Sequence, residues 1–242
     1  MSNAWPPPNA PNAQPRQRSV IPPIHFSRCP GTLLIAAAIL VGFAIEVVTG
    51  ATHDPQRLVP LGANLPSVFA TGQYWRFVAA MFLHGDGTPS GNAMHLGFNL
   101  LALLQLGSLF ETMFGTRRFL FIYFVTGIFA SFCSAAHFAV LNTAGSSVGA
   151  SGAIFGILGA FIFSIRRSPL YGRDAGARSL VPQLLFWIVV NIGIGLRVAG
   201  IDLTAHLGGL IAGIVLGLLP HRVPPPPPSN EVVDVVGKPY DG

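Results

Sequence analysis

The chain has 242 residues, 51% of them hydrophobic and only 10% charged, with a formal net charge of +5. Ordinary soluble domains carry about 25% charged residues, so this composition excludes a soluble enzyme and indicates an integral membrane protein. The basic residues lie between the apolar runs rather than in one patch, which speaks for membrane topology and against nucleic-acid binding.

Taken in chain order, residues 1–28 are rich in Pro, Asn and Gln and read as a disordered tail. They lack the early apolar core of a cleavable signal peptide. A membrane domain follows over 29–221. A span needs about 20 apolar residues, and the first falls at 31–50 despite Glu46, which is expected to pair or snorkel near the interface. Residues 51–92 form a long loop without a full span. Its segment Gln73-Tyr74-Trp75-Arg76-Phe77-Val78 suits the headgroup region, and His84-Gly85-Asp86-Gly87 reads as a turn. Five more spans are expected at 93–112, 119–141, 148–165, 180–198 and 201–219. The remaining tail, 222–242, carries Pro224 to Pro228 and reads as a disordered polyproline spacer, with docking to an SH3-like partner as the other reading.

Six spans give an orientation. Of the 14 Lys and Arg, eleven fall in the N-tail, the 2–3 loop, the 4–5 loop and the C-tail. The other side holds only Arg57, Arg76 and Arg197. The positive-inside rule then puts both termini in the cytoplasm.

In this topology spans two, four and six enter from the outer face. His95 and Asn99 lie in the first turns of span two, Ser151 near the start of span four and His206 about five residues into span six. At 1.5 Å per residue, all four fall within roughly the outer third of the bilayer. His95 and Asn99 are i,i+4 and share a helix face. Gly152 and Gly156 on span four, and Gly209, Gly213 and Gly217 on span six, give two small-residue faces that let these helices approach closely. Close approach is what a Ser–His hydrogen bond demands.

Singly, each residue has an ordinary reading. Ser151 would pack and bond its own i−4 carbonyl, His206 would bond a carbonyl, Asn99 would join helices, and His95 would sit at the interface or hold a metal. Together, at one depth, they favour acyl transfer. Ser151 is the candidate nucleophile and His206 its base. The oxyanion would be met by the Asn99 amide, His95 and the backbone N–H of Ser151. Asp202, one turn before His206, is read as a helix cap, which leaves a dyad. Cys29 and Cys133 are placed too far apart for a disulfide, and the chain has neither CxxC nor HExxH, so neither a metal nor a cofactor is expected.

These residues resemble a known family, the rhomboid intramembrane serine proteases. The likeness covers roughly 30–220 and rests on Trp75-Arg76, His95-xxx-Asn99, Gly149-Ala150-Ser151-Gly152 and Ala205-His206-xx-Gly209-xxx-Gly213. It implies an all-α six-helix membrane bundle with a membrane-associated loop between helices one and two. A water-filled cavity would open to the outer side, and single-pass membrane proteins would be cut in or near their transmembrane segment. By resemblance Ser151 is nucleophile and His206 base, with His95 and Asn99 at the oxyanion and Gly149 and Ala150 lining a narrow substrate cavity. Phe155 stands where the family often has a tyrosine stacked on the base, and keeps the ring without the hydroxyl. Glu111 resembles a structural polar residue at the cytoplasmic end of helix two, and helix five, with Phe186 and Trp187, resembles a lateral gate. A bacterial inner membrane is the expected location. Two other readings stand beside this one: an inactive relative that binds membrane proteins without cutting them, and a small transporter.

Overall fold

A computed structural model describes residues 21–220, apart from 23, 86, 87 and 199. The proline-rich tail expected over 222–242 and most of the N-terminal tail lie outside the described residues. Within them the fold is all-α, and its one β-type pairing is an isolated bridge between Asn64 and Ser147.

Helix α1 is Pro30–Thr49. Proline opens it, where its missing N–H costs nothing, and Gly50 closes it in the left-handed region at φ +74°. The start of α1 is also capped from another helix. The Glu111 carboxylate accepts from the Gly31 and Thr32 N–H groups at 2.8 and 2.7 Å, and from the Thr32 and Thr116 hydroxyls at 2.7 Å each. An anion at a helix N-terminus complements both the unpaired donors and the macrodipole, so the end of one helix fixes the start of its neighbour.

Helix α2 runs from Pro89 to Ala102, continues through a π-helical stretch Leu103–Gly107, and ends with Ser108–Phe114. Gly115 at φ +87° turns the chain directly into α3, Thr116–Val140. Then come α4, Ser151–Arg167, α5, Ala175–Gly195, and α6, Leu203–Leu218. Asp174 and Asp202 cap the last two by accepting from Ala177 and Ala205 N–H at 2.7 and 2.9 Å.

Helix α4 is the centre, with nearly every residue from Gly152 to Ile165 buried. Helices α3 and α6 pack against it, α1 and α2 lie beyond, and α5 is peripheral with Phe186 and Trp187 exposed. Leucines, valines and phenylalanines are exposed around the bundle, as lipid-facing surfaces require. This is a multi-pass membrane helical bundle.

Among the described residues a helix lies at each of the six expected positions, and four of them (α1, α2, α3 and α5) are long and apolar enough to cross a membrane. Helix α4 has 17 residues and α6 has 16, or about 25 Å at 1.5 Å per residue, short of a hydrocarbon core of about 30 Å. Hydropathy alone opens the fourth span at 148. The helix opens at Ser151 because Gly149 sits at φ +121° and gives its N–H to the Ala80 carbonyl at 2.8 Å, which takes the preceding residues out of the helical path.

Candidate active site

The site is built on a seam of glycines. A Cβ added at Gly209 or Gly213 of α6 would land on the carbonyl oxygen of Gly152 or Gly156 of α4. Further along, one at Gly217 would stand 2.7 Å from the Ala160 oxygen. Backbone therefore meets backbone along the α4–α6 contact, in the manner of small-xxx-small packing. At the top of the seam Ser151, the first residue of α4, meets His206 of α6. Ser151 Oγ and His206 Nε2 are 2.8 Å apart, within the range of a nucleophile and its base.

The His206 ring is fixed from one face by Phe155, one turn along α4 from Ser151. The two rings stack with centroids 4.3 Å apart and planes at 13°. The other end of the imidazole has no carboxylate on it: among the described residues, His206 Nδ1 has no hydrogen-bond partner. Asp202 is occupied elsewhere. One of its oxygens caps α6 and the other accepts a short hydrogen bond from the Ser134 hydroxyl of α3. Among the described residues Ser151 and His206 thus meet without a carboxylate on the imidazole.

On the opposite side stand the residues expected at the oxyanion. His95 Nε2 lies so close to Gly149 that a Cβ there would be 2.6 Å from it, so glycine is required by space as well as by its positive φ. His95 thus reaches from α2 to the turn that carries Ser151. Asn99 is buried on the same face of α2, and its amide donates to the His95 carbonyl at 2.8 Å. One of its two N–H groups is therefore spent within its own helix, leaving the second to turn toward a ligand. Ala150 is fully buried beside Ser151, and the first N–H groups of α4 have no intrahelical acceptor.

The loop between α1 and α2 is a scaffold for this turn. The main chains of Asn64 and Ser147 exchange two hydrogen bonds of 3.0 Å, and the Asn64 side chain donates to the Ser131 carbonyl at 2.8 Å. Arg76 is buried and donates from Nη1 to the Val59 and Ala63 carbonyls at 2.6 and 3.0 Å. That holds the loop in shape while Tyr74 and Trp75 remain exposed, as an interfacial segment requires. Asn92 of α2 donates to the Thr52 carbonyl at 2.6 Å. The loop is thus tied to α1, α2, α3 and the turn before Ser151 at once.

Two residues of this scaffold have a place that sequence reasoning missed. Glu46, expected to pair or snorkel, pairs: it is fully buried and its Oε1 accepts from the His84 main-chain N–H at 2.6 Å. His84, read as part of a turn, is fully buried, and its Nε2 accepts from the Ala150 N–H at 3.4 Å. Its ring lies 5.0 Å from that of His95. Burial first, and then the neighbouring His95, push the His84 imidazole down to about 3, against a smaller pull from the Phe82 carbonyl. It is neutral at physiological pH and able to accept. The signal available in the sequence was a histidine eleven residues before His95, outside any periodic segment. Among the described residues no group of three His, Cys, Asp or Glu side chains converges as a metal site.

Comparison with known proteins bears on what this geometry is for. The model of a family described as the rhomboid domain matches residues 71–223. The chain is 39% identical over 181 residues to the rhomboid protease GluP of Bacillus subtilis, a match covering 75% of this chain and 32% of that protein. It is 29% identical over 215 residues to the rhomboid protease AarA of Providencia stuartii, covering 79% of this chain and 74% of that one. It is 32% identical over 204 residues to rhomboid-like protease 1 of Toxoplasma gondii, covering 81% and 65%. The chain thus spans about a third of the length of GluP and a larger share of the other two.

Proposed function

The chain belongs to the rhomboid family, and from that premise we propose that it is an intramembrane serine endopeptidase acting on single-pass membrane proteins through a Ser151–His206 dyad. The observation that carries the reading is the 2.8 Å approach of Ser151 Oγ to His206 Nε2 between α4 and α6. Nothing in helix packing requires a hydroxyl and an imidazole to meet at the one point where the glycine seam ends in a turn rather than in another helix.

The chemistry runs as follows. His206 Nε2 takes the proton of Ser151 Oγ as the oxygen bonds to the scissile carbonyl carbon, and the carbonyl electron pair moves onto its oxygen. That oxyanion is met by N–H donors at the mouth of α4, by His95 and by the free N–H of Asn99. Collapse breaks the C–N bond, His206 gives the proton to the leaving amine, and an acyl ester remains on Ser151. A water, deprotonated by His206, then attacks the ester and frees the carboxyl product and the serine. Phe155 keeps the imidazole plane aimed at Ser151 throughout. Gly149 and Ala150 leave little room beside the nucleophile, which favours small side chains at the cut.

The distribution of Lys and Arg supports an orientation with both termini in the cytoplasm and the site toward the outer side. The relatives from Bacillus subtilis and Providencia stuartii are bacterial, which favours a bacterial inner membrane. We include both in the proposal, together with a membrane domain over 29–221.

The test is cleavage of a model single-pass substrate by purified protein, with Ser151→Ala and His206→Ala alongside. Cleavage and fluorophosphonate labelling are expected in the unsubstituted protein, and both are lost in Ser151→Ala. His206→Ala loses labelling by about 10³-fold or more, since nucleophile and base act as a unit. Cleavage that persists in Ser151→Ala overturns the assignment. A chain that binds transmembrane segments but neither cuts nor labels would be the inactive binder instead.

A further inference from the structure

Two main-chain N–H groups precede the nucleophile, and each has a specific acceptor on the loop between α1 and α2. That of Gly149 goes to the Ala80 carbonyl at 2.8 Å. That of Ala150 goes to a side chain, His84 Nε2, at 3.4 Å. The peptide between Gly149 and Ala150 adjoins the one that carries the Ser151 N–H, and Gly149 at φ +121° offers little resistance of its own to a rotation of that peptide. The hydrogen bond to His84 is what holds its plane.

The same imidazole backs the other half of the oxyanion side. Its ring centroid is 5.0 Å from that of His95, with planes at 56°, and His95 Nε2 is the atom that crowds Gly149. His84 therefore touches both the N–H next to the nucleophile and the side chain expected to face the oxyanion, while remaining completely buried. It is anchored in turn. The Glu46 carboxylate at the end of α1 accepts from the His84 main-chain N–H at 2.6 Å, and the second Glu46 oxygen is buried without a side-chain or main-chain partner among the described residues. A carboxylate, a histidine main chain and a neutral imidazole form one line from α1 to the start of α4.

Resting on the protease reading above, we propose that His84 is a positioning residue for the oxyanion side of the site, with Glu46 as its anchor. His84 accepts the Ala150 N–H, and so sets the direction of the following N–H groups of α4 and the place of His95. It touches no reacting atom. A buried histidine that accepts through Nε2 carries its proton on Nδ1, and that tautomer is an observable of the proposal independent of turnover. The role is confined to the transition state, because the developing O⁻ and not the ground-state carbonyl needs the donors in register. Removing the acceptor is therefore expected to lower kcat and leave KM nearly unchanged.

Three variants in the full chain, purified in detergent, separate this from a packing role. His84→Phe keeps a ring against His95 and removes the acceptor. His84→Gln supplies an amide oxygen near the position of Nε2. Glu46→Gln keeps an acceptor of the same shape for the His84 main chain. Against a model single-pass substrate, His84→Phe is expected to lose about 10- to 100-fold in kcat, up to the cost of a misplacement of about 1 Å, with KM within about twofold. His84→Gln should recover most of that loss, and Glu46→Gln should stay close to the unsubstituted protein. Nitrogen-15 NMR of histidine-labelled protein should show His84 with Nε2 bare and Nδ1 protonated at pH 7. Full kcat in His84→Phe overturns the proposal. So does a loss in His84→Phe that His84→Gln fails to relieve while both melt at the same temperature. If His84→Phe does not fold, the tautomer decides: a protonated Nε2 overturns the role and a bare one supports it. Absence of cleavage and labelling in the unsubstituted protein would overturn the protease reading itself, and this role with it.

Discussion

The glycine seam makes the sharpest prediction, because it ties a packing distance to a chemical one. In Gly209→Ala the new Cβ would stand 2.8 Å from the Gly152 carbonyl carbon and nearer still to its oxygen, with Gly152 Cα at 3.4 Å. All of these are main-chain atoms, so no side chain can swing away to make room. Helix α6 must draw back from α4 by at least about 1 Å for the carbonyl carbon to reach ordinary contact distances of about 3.5–4.0 Å, and the oxygen demands more. His206 precedes Gly209 by three residues on the same face and moves with it. Its Nε2, now 2.8 Å from Ser151 Oγ, would retreat to nearly 4 Å, beyond hydrogen-bond range. A misplacement of that size costs about 100-fold in rate, while overpacking costs about 1–3 kcal/mol of stability. Gly217→Ala is the control. It meets the Ala160 oxygen at 2.7 Å and Phe163 Cβ at 3.0 Å, but lies about 12 Å farther along α6 at 1.5 Å per residue. The assay is cleavage of a single-pass substrate in liposomes, read with fluorophosphonate labelling and a melting curve. Gly209→Ala should lose cleavage and labelling together, and Gly217→Ala should lose stability with most of its activity retained. Equal activities in two equally folded variants would refute the argument that the seam sets the Ser–His distance.

Other expectations follow from single contacts. Glu111→Ala strands the buried Gly31 and Thr32 N–H groups and should cost about 3 kcal/mol, with Glu111→Gln restoring part of it, read by chemical denaturation in mixed micelles. Asp202→Ala removes the cap of α6 and the tie to Ser134 and should cost about 1–2 kcal/mol, while Asp202→Asn keeps the cap; a dyad requires that Asp202→Asn also keep most of the activity. His84 sets a pH dependence of stability. Its folded-state value of about 3 lies below the ordinary 6.5, so between those limits the unfolded chain binds the extra proton. Its contribution is complete above about pH 6.5 and is lost as pH falls, at about 1.4 kcal/mol per unit. His84→Gln should flatten the acid limb of the melting temperature by about one proton.

How much of this was legible in the sequence depends on whether a residue's position obeys a period. Ser151, His95, Asn99 and His206 were placed at one depth by counting 1.5 Å steps from the ends of apolar runs, and the facing glycines were visible as i, i+4 repeats on spans four and six. The i, i+4 spacings survive into the structure because a helix preserves them. The line through Glu46 and His84 obeys no period. Its members are 38 residues apart, one at the end of a helix and the other in a loop whose path is set by Arg76 bonding two carbonyls and Asn64 bridging to Ser147. The start of α4 was missed by three residues for a related reason: hydropathy cannot distinguish an apolar turn from an apolar helix, and what ends the turn is a hydrogen bond from Gly149 to a distant carbonyl. The hydrogen bond from Asn99 to its own helix is a rotamer choice, beyond any reading of spacing.

The two kinds of support act on different coordinates of the site. The glycine seam controls the separation of α4 and α6, and with it the Ser151–His206 distance on which the proposed proton transfer depends. The loop controls the turn at Gly149 and Ala150, and with it the direction of the N–H donors and of His95. A membrane bundle needs both because its helices can slide or tilt as rigid rods without breaking any internal hydrogen bond. Packing alone would bring serine to histidine yet leave the oxyanion side undetermined, since Gly149 can rotate freely. Main-chain bonds from a separate, irregular segment remove that freedom: Asn64 pairs with Ser147, and the Ala80 carbonyl accepts from the Gly149 N–H. Damage to the seam should therefore abolish labelling and cleavage alike, whereas damage to the loop at His84 should slow cleavage while Ser151 keeps its base. A small, highly reactive probe, which asks less of the oxyanion donors than an amide does, would separate the two.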